Sequence, residues 1–371
     1  MGSQGLVEQI FRSADIIING SRPWDIQVHN KGLYDRVLAK GTLGIGESYV
    51  DGWWDCEQLD ELVSRAIRFG GDKRMALSFS GTLRVIQAKL FNLQTEPRSK
   101  KVAREHYDLG NDLYMAFLDP YNQYTCGYFK DTEDLNVAQE QKLDLICRKL
   151  ELRPADKMLD IGCGWGGFAK WAASHYGCHV TGISISDEQI TYAKEFTGGL
   201  PVEIVKADYR ELKGQYDKIL ICGMIEHVGH KNYRTIMEVV KKHLLPNGLF
   251  LLQTIGRNES KTIGFDPWME KYVFPNSAIP SLQQIAKASE NLFVMEDLHN
   301  FGSYYDKTLL LWWKNFDKTW PRFKDEYGDR FYRMFRYYIL ACAGTFRARK
   351  NLLWHIVFTH IEKLGQYKSV R

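Results

Sequence analysis

Three features that would narrow the function at once are missing from this chain of 371 residues. Its seven cysteines include no C-x-x-C pair, so neither a disulfide framework nor a metal site is predicted. Its uninterrupted apolar stretches are far shorter than the roughly 18 residues that a membrane-spanning helix needs. Its first residues show no basic segment followed by an apolar core, so we predict no secretion signal. These absences are typical of a cytoplasmic protein with reduced thiols that meets membranes only peripherally.

Charge of one sign is also scarce. The 49 Lys and Arg residues nearly balance the 45 Asp and Glu residues, which leaves a net charge of +4. Because there is no long Lys/Arg run, we do not expect nucleic-acid binding, whereas a small positive excess suits contact with an anionic membrane surface. Aromatic residues, in contrast, are plentiful: 10 Trp, 20 Tyr and 19 Phe make up 13% of the chain. We expect part of this excess to contact an apolar ligand.

The chain changes character near position 100. Residues 1–95 show helical patterns without a strand–glycine–helix sequence, and we interpret them as an N-terminal domain that handles lipid or membrane. Residues 96–108 are polar and basic, which is typical either of a solvated linker or of an anchor for anionic lipid headgroups. In residues 109–371, strands alternate with helices from position 158 onward. This alternation predicts a catalytic domain with an α/β fold, built on a doubly wound, Rossmann-like parallel sheet.

The predicted elements follow from hydrophobic periodicity. Helices are predicted at 57–69, 83–93, 167–176, 187–196, 281–289, 307–316 and 330–343. Strands are predicted at 158–161, 179–183, 202–205, 218–224, 249–254, 292–296 and 353–359. The helix at 330–343 carries aromatic and basic residues that suit either a lipid-facing surface or half-buried packing: Tyr332, Arg333, Phe335, Arg336, Tyr337 and Tyr338.

A glycine loop follows the first strand of the predicted sheet. Gly162, Gly164 and Gly167 fit the spacing G-x-G-x-x-G, which by itself is weak support for a dinucleotide site. Asp160 stands two residues before the first glycine, where it would repel a pyrophosphate but can face an amine-bearing ligand. The second strand ends at Ser184 without the acidic residue that holds an NAD ribose. The loop therefore favours S-adenosylmethionine over NAD, although a purely structural glycine turn remains an alternative.

Polar residues follow the next two strands. Because ligands in such sheets lie at the carboxyl ends of the strands, Ser184 and Gln189 are predicted to bind ribose hydroxyls. Asp208 can accept a hydrogen bond from the adenine amino group, and the Tyr209 ring can stack on the base. Each of these residues alone is also typical of a helix N-cap or a surface position. Their occurrence in order at successive strand ends favours a cofactor site.

Several motifs, in order along the chain, carry a family resemblance. They are R-E-H-Y-D-L-G-N-D at 104–112, Y-T-C at 124–126, the glycine loop, M-I-E-H-V-G at 224–229, T-I-G at 254–256, N-F-G at 300–302 and A-C-A-G-T-F-R at 341–347. Together they resemble the cyclopropane-fatty-acyl-phospholipid synthase family, and residues 43–54 resemble its bacterial phospholipid-acting branch. The related mycolic acid cyclopropane synthases are similar mainly from about residue 100 onward.

The resemblance implies transfer of a methylene group from S-adenosylmethionine to a cis double bond in an acyl chain of a membrane phospholipid. It implies a homodimer bound peripherally to the inner face of the membrane, and a methyltransferase fold. The cofactor contacts carried over by motif agree with the strand-end prediction, and the loop adds Asp160 and Cys163. The residues carried over by motif are Tyr124, Thr125, Gly162, Gly164, Ser184, Gln189, Asp208 and Tyr209.

The same resemblance implies a bound bicarbonate ion near the reacting carbon. It would be held by the residues at the matching positions, which are Cys126, Glu226, Ile255 and Tyr305. The family motif commonly reads His-Thr-Ile-Gly, whereas this chain has Gln253 in the place of the histidine. An amide can hydrogen-bond an anion but cannot take up a proton near neutral pH, so this position departs from the family.

The expected chemistry also sets the roles of the remaining residues. Attack of an alkene on the sulfonium methyl leaves a carbocation, which aromatic walls stabilise, and closing the ring then needs a base. Bicarbonate is the predicted base, with Glu226 orienting or deprotonating it, although Glu226 could also be a simple helix-terminal carboxylate. Cys126 outside its motif would be a small buried apolar residue, and Cys342 lies on an apolar helix where packing explains it.

Two other functions remain compatible with the sequence. A fatty-acyl methyltransferase would resolve the same cation to a methyl branch instead of a ring. A non-catalytic lipid-binding protein would keep the fold without the reaction, but the complete glycine loop and Asp160 argue against it.

Overall fold

The structure is a computed structural model, and it describes residues 2–70, 110–260 and 266–371. The predicted linker at 96–108 and the predicted helix at 83–93 lie outside the described residues. The described helices are α1 (Ser3–Ser13), α2 (Gly32–Lys40), α3 (Thr42–Val50), α4 (Leu59–Arg68), α5 (Asn111–Met115), α6 (Leu135–Lys149), α7 (Gly167–Tyr176), α8 (Asp187–Phe196), α9 (Tyr233–His243), α10 (Pro267–Tyr272), α11 (Leu282–Ser289), α12 (Ser303–Thr319) and α13 (Lys324–Arg347). The strands are β1 (Gln27–Val28), β2 (Trp54–Asp55), β3 (Lys157–Ile161), β4 (His179–Ser184), β5 (Val202–Lys206), β6 (Tyr216–Cys222), β7 (Leu244–Gly256), β8 (Phe293–Asn300) and β9 (Leu352–His360). None of the helices in these ranges is long and apolar enough to cross a membrane.

The predicted helices and strands within the described residues are all present, several with longer bounds. The predicted bounds do not include α1, α2, α3, α5, α6, α9 or α10, and of these α6 and α9 cover the sheet. The inner face of α6 buries Gln139, Lys142 and Lys149 among apolar residues. These polar residues interrupt the hydrophobic periodicity, so the sequence pattern did not predict this helix. In contrast, α9 has an ordinary apolar spacing that the predictions did not use.

The described residues form two compact units. The first comprises residues 2–70, 266–276 and 305–351, and the second comprises 110–260, 277–304 and 352–371. We expected domains at 1–95 and 109–371, whereas the structure groups two later segments with the N-terminal helices. The reason is packing, because α10 lies against α3, and α13 lies against α3 and α4.

The second unit is built on a seven-stranded sheet with the order β5-β4-β3-β6-β7-β9-β8. The five strands from β5 to β7 are parallel, which confirms the predicted doubly wound α/β fold. The edge differs from the prediction of a parallel sheet, because β9 runs antiparallel to both β7 and β8. Every residue of β9 is buried and most of them are apolar, so the sequence pattern does not show which way the strand runs.

Each face of the sheet is covered by helices. On one face, α9 and α11 pack over apolar residues such as Ile219 and Ile221. On the other face, α6 and α7 pack over Met158, Leu220 and Leu251. Side chains alternate between faces along a strand, so residues two positions further along point to the same side. This alternation decides which polar residues face α6.

In the first unit, α13 packs its aromatic residues inward. Phe335, Tyr337 and Tyr338 are buried, and the Arg333 guanidinium lies 4.3 Å from the centre of the Tyr49 ring. Arg333 also donates a hydrogen bond to the Tyr49 carbonyl at 2.7 Å. These residues therefore pack inside the first unit and do not form a lipid-facing surface, which were the two interpretations of this helix.

Candidate active site

The glycine loop lies between β3 and α7 in the second unit. Gly162, Gly164 and Gly166 all have positive φ angles, of 84°, 54° and 80°, which favour glycine. A Cβ at Gly164 would meet no atom within 4 Å, so the loop leaves open space where a ligand can approach the backbone. At Gly167 the opposite holds, because a Cβ would collide with the carbonyl oxygen of Tyr121. The loop therefore has the shape expected for cofactor binding.

The loop also brings the predicted motifs together. A Cβ at Gly162 would lie 2.9 Å from Cγ of Met224, two residues before Glu226. A Cβ at Gly223 would lie 3.0 Å from Cγ2 of Thr125. Three motifs that are distant in sequence thus meet at the carboxyl ends of β3 and β6, where ligands bind in sheets of this kind.

Asp160 is buried near the end of β3, with 2% of its surface exposed. Burial raises the pKa of its carboxyl group to about 7, and the charge of Lys142 opposes this rise. Because Met158 faces α6, the strand alternation turns Asp160 towards α6 as well. The adjacent Cys163 is buried too, and burial raises the pKa of its thiol, so it is protonated at neutral pH.

Ser184 and Gln189 lie together after β4. Ser184 Oγ is 3.2 Å from Gln189 Oε1, and both residues are buried. Ser186 caps α8, since its side chain accepts a hydrogen bond from the Gln189 backbone N–H at 3.4 Å. The cap fixes the direction of α8 and so the place of both predicted ribose ligands.

Asp208 and Tyr209 follow β5, as predicted, but Arg210 engages both of them. Arg210 Nη1 lies 3.0 Å from Asp208 Oδ2, and the guanidinium lies 4.5 Å from the centre of the Tyr209 ring. Asp208 also caps the short helix Tyr209–Glu211 by accepting from the Arg210 N–H at 3.0 Å. Binding of adenine by these two residues would therefore require Arg210 to give up part of its present contacts.

The Tyr124–Cys126 segment lies beside the loop. The Tyr124 ring packs against Tyr114, with ring centres 5.2 Å apart. Thr125 Oγ1 accepts a hydrogen bond from Lys142 Nζ at 3.0 Å. Cys126 is completely buried, and its Sγ lies 3.2 Å from the Gly127 carbonyl oxygen.

Glu226 lies in the short helix Ile225–His227 that follows β6. Its Oε1 accepts a hydrogen bond from the Ile255 N–H at 2.7 Å, so Ile255 orients the carboxyl group. Its Oε2 is buried without a hydrogen-bond partner in the structure. Burial raises the pKa of Glu226 to about 7. Such a group can both hold and release a proton near neutral pH, as a catalytic base must.

A row of polar residues crosses the sheet under α6. Cys222 on β6 pairs with Gln253 on β7, Gln253 pairs with His355 on β9, and His355 pairs with His299 on β8. His355 Nε2 lies 2.7 Å from Gln253 Oε1, so the neutral imidazole donates to the amide oxygen. Burial lowers the pKa of His355 well below its usual range, which keeps it neutral.

Tyr305 and Cys342 belong to the first unit. Within it, the Tyr305 ring stacks on Phe346 with ring centres 4.4 Å apart. Burial raises the pKa of Cys342 to about 12, and the charge of Asp266 adds to the effect. A thiol with this pKa is a poor nucleophile, so its burial agrees with a packing role.

Two residues of this region are absent from the sequence predictions, Lys142 and His355. Neither belongs to a motif. Each lies among other buried residues of its element, and nothing in the sequence alone distinguishes it from a residue with a purely structural role. Across the described ranges, no group of three His, Cys, Asp or Glu side chains is arranged to hold a metal ion.

A family model described as mycolic acid cyclopropane synthetase matches residues 94–356. The chain belongs to this family. The cyclopropane-fatty-acyl-phospholipid synthase of Escherichia coli (strain K12) is 50% identical to it over 354 residues, covering 95% of this chain and 92% of the relative. Sphingolipid C9-methyltransferase A of Emericella nidulans is 30% identical over 362 residues, covering 90% of this chain and 69% of the relative. The solved structure of mycolic acid cyclopropane synthase CmaA1 complexed with SAH and CTAB matches with a TM-score of 0.66 and 27% identity, covering 70% of this chain and 97% of that chain. Membership of the cyclopropane synthetase family confirms the resemblance and the predicted enzyme class, an S-adenosylmethionine-dependent transferase.

Proposed function

We propose that this chain transfers a methylene group from S-adenosylmethionine to the cis double bond of an unsaturated acyl chain in a membrane phospholipid, forming a cyclopropane ring. The phospholipid substrate follows the name of the Escherichia coli relative. The single observation that carries the proposal is Glu226, a buried carboxyl group with a pKa of about 7 and a free Oε2, beside the glycine loop. A site that only bound lipid would have no use for such a proton acceptor.

S-adenosylmethionine, when bound, supplies the electrophilic methyl group of its sulfonium. The open backbone at Gly164 and the buried polar pair Ser184 and Gln189 fit this ligand. Asp160 would accept a hydrogen bond from its amino group, which requires the carboxylate form. The aromatic residues around Tyr124 exclude water, which would otherwise compete with the alkene as a nucleophile.

Bicarbonate, when bound, would supply an oxygen that accepts the proton lost from the transferred carbon. The residues of the second unit fit such an anion, because Glu226 Oε2 is buried without a partner, and the carboxyl group is partly protonated near neutral pH. Glu226 Oε2 can accept a hydrogen bond from the hydroxyl group of bicarbonate and, in the carboxylate form, can take up its proton. Gln253, held at its oxygen by His355, can donate through its amide nitrogen. Cys126 and Tyr305 remain proposed ligands by family motif.

The test is lipid analysis after incubation with vesicles that contain a monounsaturated phospholipid. Mass spectrometry should show an acyl chain with the mass of a methyl-branched saturated chain minus two hydrogens. A product of the same mass that still carries a double bond, detected by its cleavage with ozone, would instead identify a fatty-acyl methyltransferase, because loss of a proton from the acyl-chain cation leaves a methyl branch and an alkene. No change in any acyl chain would leave only a lipid-binding protein. Glu226→Gln is the matched variant, and it should lose the product while keeping S-adenosylmethionine binding.

We further propose that the chain acts as a homodimer that docks reversibly on the anionic inner face of a membrane. The net charge of +4 supports this docking electrostatically. Deletion of residues 1–95 would not test it cleanly, because the first unit also contains 266–276 and 305–351. The full chain should instead sediment with anionic vesicles and be released by salt, whereas neutral vesicles should leave it in solution. Sedimentation equilibrium measures the proposed dimer.

A further inference from the structure

The inner face of α6 buries two lysines that differ in their surroundings. Lys142 and Lys149 are both fully buried, seven residues apart. Lys149 forms an ion pair with Asp297, with 2.8 Å between Nζ and Oδ2. Lys142 Nζ instead donates to two neutral groups, Thr125 Oγ1 at 3.0 Å and Gln123 Oε1, and forms no ion pair with any described residue. A buried ammonium without an ion pair is costly, so Lys142 needs a reason to be there.

One reason is the segment that Lys142 holds. Asp119 accepts hydrogen bonds from the N–H groups of Tyr121 and Gln123, both at 2.8 Å. Lys142 donates hydrogen bonds to the side chains of Gln123 and Thr125 in the same segment. These contacts fix the chain that leads into Tyr124–Cys126, which is a motif of the proposed site. A displacement of this segment would therefore displace proposed contacts to both small ligands.

A second reason is charge. Strand alternation places Asp160, Cys222 and Gln253 on the sheet face that α6 covers. Lys142 is the group whose charge favours the ionised form of Asp160, against the burial that favours the neutral acid. Asp160 has to be ionised to accept a hydrogen bond from a protonated amine. Lys142 thus stands where it can decide the charge of the proposed cofactor ligand.

We infer that Lys142 is a positioning residue of the active site, which holds the Tyr124–Cys126 segment through Thr125 and Gln123 and keeps Asp160 ionised for the amino group of S-adenosylmethionine. The inference rests on the proposed function, because it assumes that this cosubstrate binds beside Asp160. Lys142 touches neither the cosubstrate nor the reacting carbon, so its effect passes through the residues that it contacts.

The other titratable groups around this pair do not compete for the effect. Burial lowers the pKa of Lys142, and the charges of Asp119 and Asp160 oppose this shift, whereas Lys142 is the charge that acts on Asp160. Burial raises the pKa of Cys222 to about 11 and raises that of Cys163 as well, so both thiols are neutral across the physiological range. Asp119 accepts two backbone hydrogen bonds and faces the 121–123 turn.

The test measures S-adenosylmethionine binding by calorimetry as a function of pH in Lys142→Met, with Lys149→Met as the matched control on the same helix. In the native protein, binding should weaken as pH falls through about 7, where Asp160 takes up a proton. Lys142→Met should move this midpoint upward by about 1 pH unit, which weakens binding at pH 7 by about fivefold. Lys149→Met should leave the midpoint unchanged, because Asp297 keeps Arg371 and Ser369 as partners.

Two further variants separate the two roles. Asp160→Asn, which leaves α6 intact, should abolish the midpoint near pH 7. Thr125→Val should weaken binding without moving the midpoint, because it removes a hydrogen bond but no charge. A native protein that binds no S-adenosylmethionine at any pH would overturn the proposed function. If the native protein does bind it, either of two results would overturn the role of Lys142. One is equal midpoints in Lys142→Met and Lys149→Met, and the other is a midpoint near pH 7 that Asp160→Asn retains.

Discussion

Replacing Glu226 by glutamine tests the most consequential electrostatic feature of the site. Glu226 is 6% exposed, and its Oε2 has no partner, while its Oε1 accepts from the Ile255 N–H. Burial therefore favours the protonated acid and raises its pKa from 4.5 to about 7. Glutamine keeps the size of the side chain and an oxygen acceptor for Ile255, but it never carries charge.

The size of the effect follows from the two pKa values. Below pH 4.5 the carboxyl group is protonated in the folded and unfolded chain alike, so Glu226 does not lower the free energy of unfolding there. As pH rises to about 7, the unfolded chain releases this proton first, and the folded state becomes less stable relative to it. At 1.36 kcal/mol per pH unit, titration of Glu226 should lower the free energy of unfolding of the native protein by about 3 kcal/mol over this range. Glu226→Gln should lack this decrease.

Urea denaturation followed by circular dichroism, in steps from about pH 4.5 to pH 8, measures this difference as a diverging free energy of unfolding. Glu47→Gln is the control with the opposite sign. In the first unit, Lys271 and Lys40 hold the pKa of Glu47 at about 2, although burial opposes them. Its stabilising effect is therefore complete above pH 4.5, so Glu47→Gln should lower stability by a constant amount across the same range. Parallel pH profiles for the native protein and Glu226→Gln would refute the account of Glu226.

The same titration bears on the proposed chemistry. A base must be unprotonated to accept a proton, so the turnover of the native protein should fall as pH drops through about 7. Glu226→Gln should remove most of the activity at every pH. A full pH dependence of turnover in a still active Glu226→Gln would assign the base to another group.

Four further substitutions have defined outcomes. Gly167→Ala should lower the free energy of unfolding by about 1–3 kcal/mol in urea denaturation, because its Cβ collides with the Tyr121 carbonyl. The Cβ of Gly164→Ala meets open space, so this substitution should cost only about 1 kcal/mol of backbone strain. Gln253→His should change the bicarbonate concentration for half-maximal turnover by up to about tenfold, because a buried imidazole, kept neutral as His355 is, replaces the amide as donor to the anion. Unchanged bicarbonate dependence would contradict the assigned place of Gln253. His355→Leu should destabilise the fold by about 1–3 kcal/mol in the same denaturation assay, because it leaves the Gln253 amide oxygen buried without a donor.

Local patterns were sufficient to predict the part of the site built by the parallel strands. A strand, a glycine turn and a helix in succession fixed the place of Asp160 and the loop, and the positive φ angles of the loop agree with that prediction. The positions of Ser184 and Gln189 were predicted in the same way, because each parallel strand delivers its last residues to one edge of the sheet. The prediction needed no knowledge of contacts between distant segments.

Domain composition could not be predicted in this way. The helices α10 and α13 follow the catalytic motifs in sequence, yet they pack on the N-terminal helices. Nothing in their periodicity distinguishes a helix that covers the sheet from one that covers another helix, because both present one apolar face. The division near position 95 was a reasonable inference from composition, but it did not assign the two later segments that pack with the N-terminal helices.

The position of His355 explains why one polar partner escaped the sequence. The rule that ligands lie beyond the carboxyl ends of strands applies to parallel strands, and Asp160, Glu226 and Gln253 all satisfy it at the ends of β3, β6 and β7. β9 runs the other way, so it reaches the same edge with its N-terminal half, and His355 is its fourth residue. In the sequence alone, a polar residue at this position looks like an interruption in a buried strand and not like part of a site. Only the register, which sets His355 opposite Gln253, makes it part of the row beneath α6.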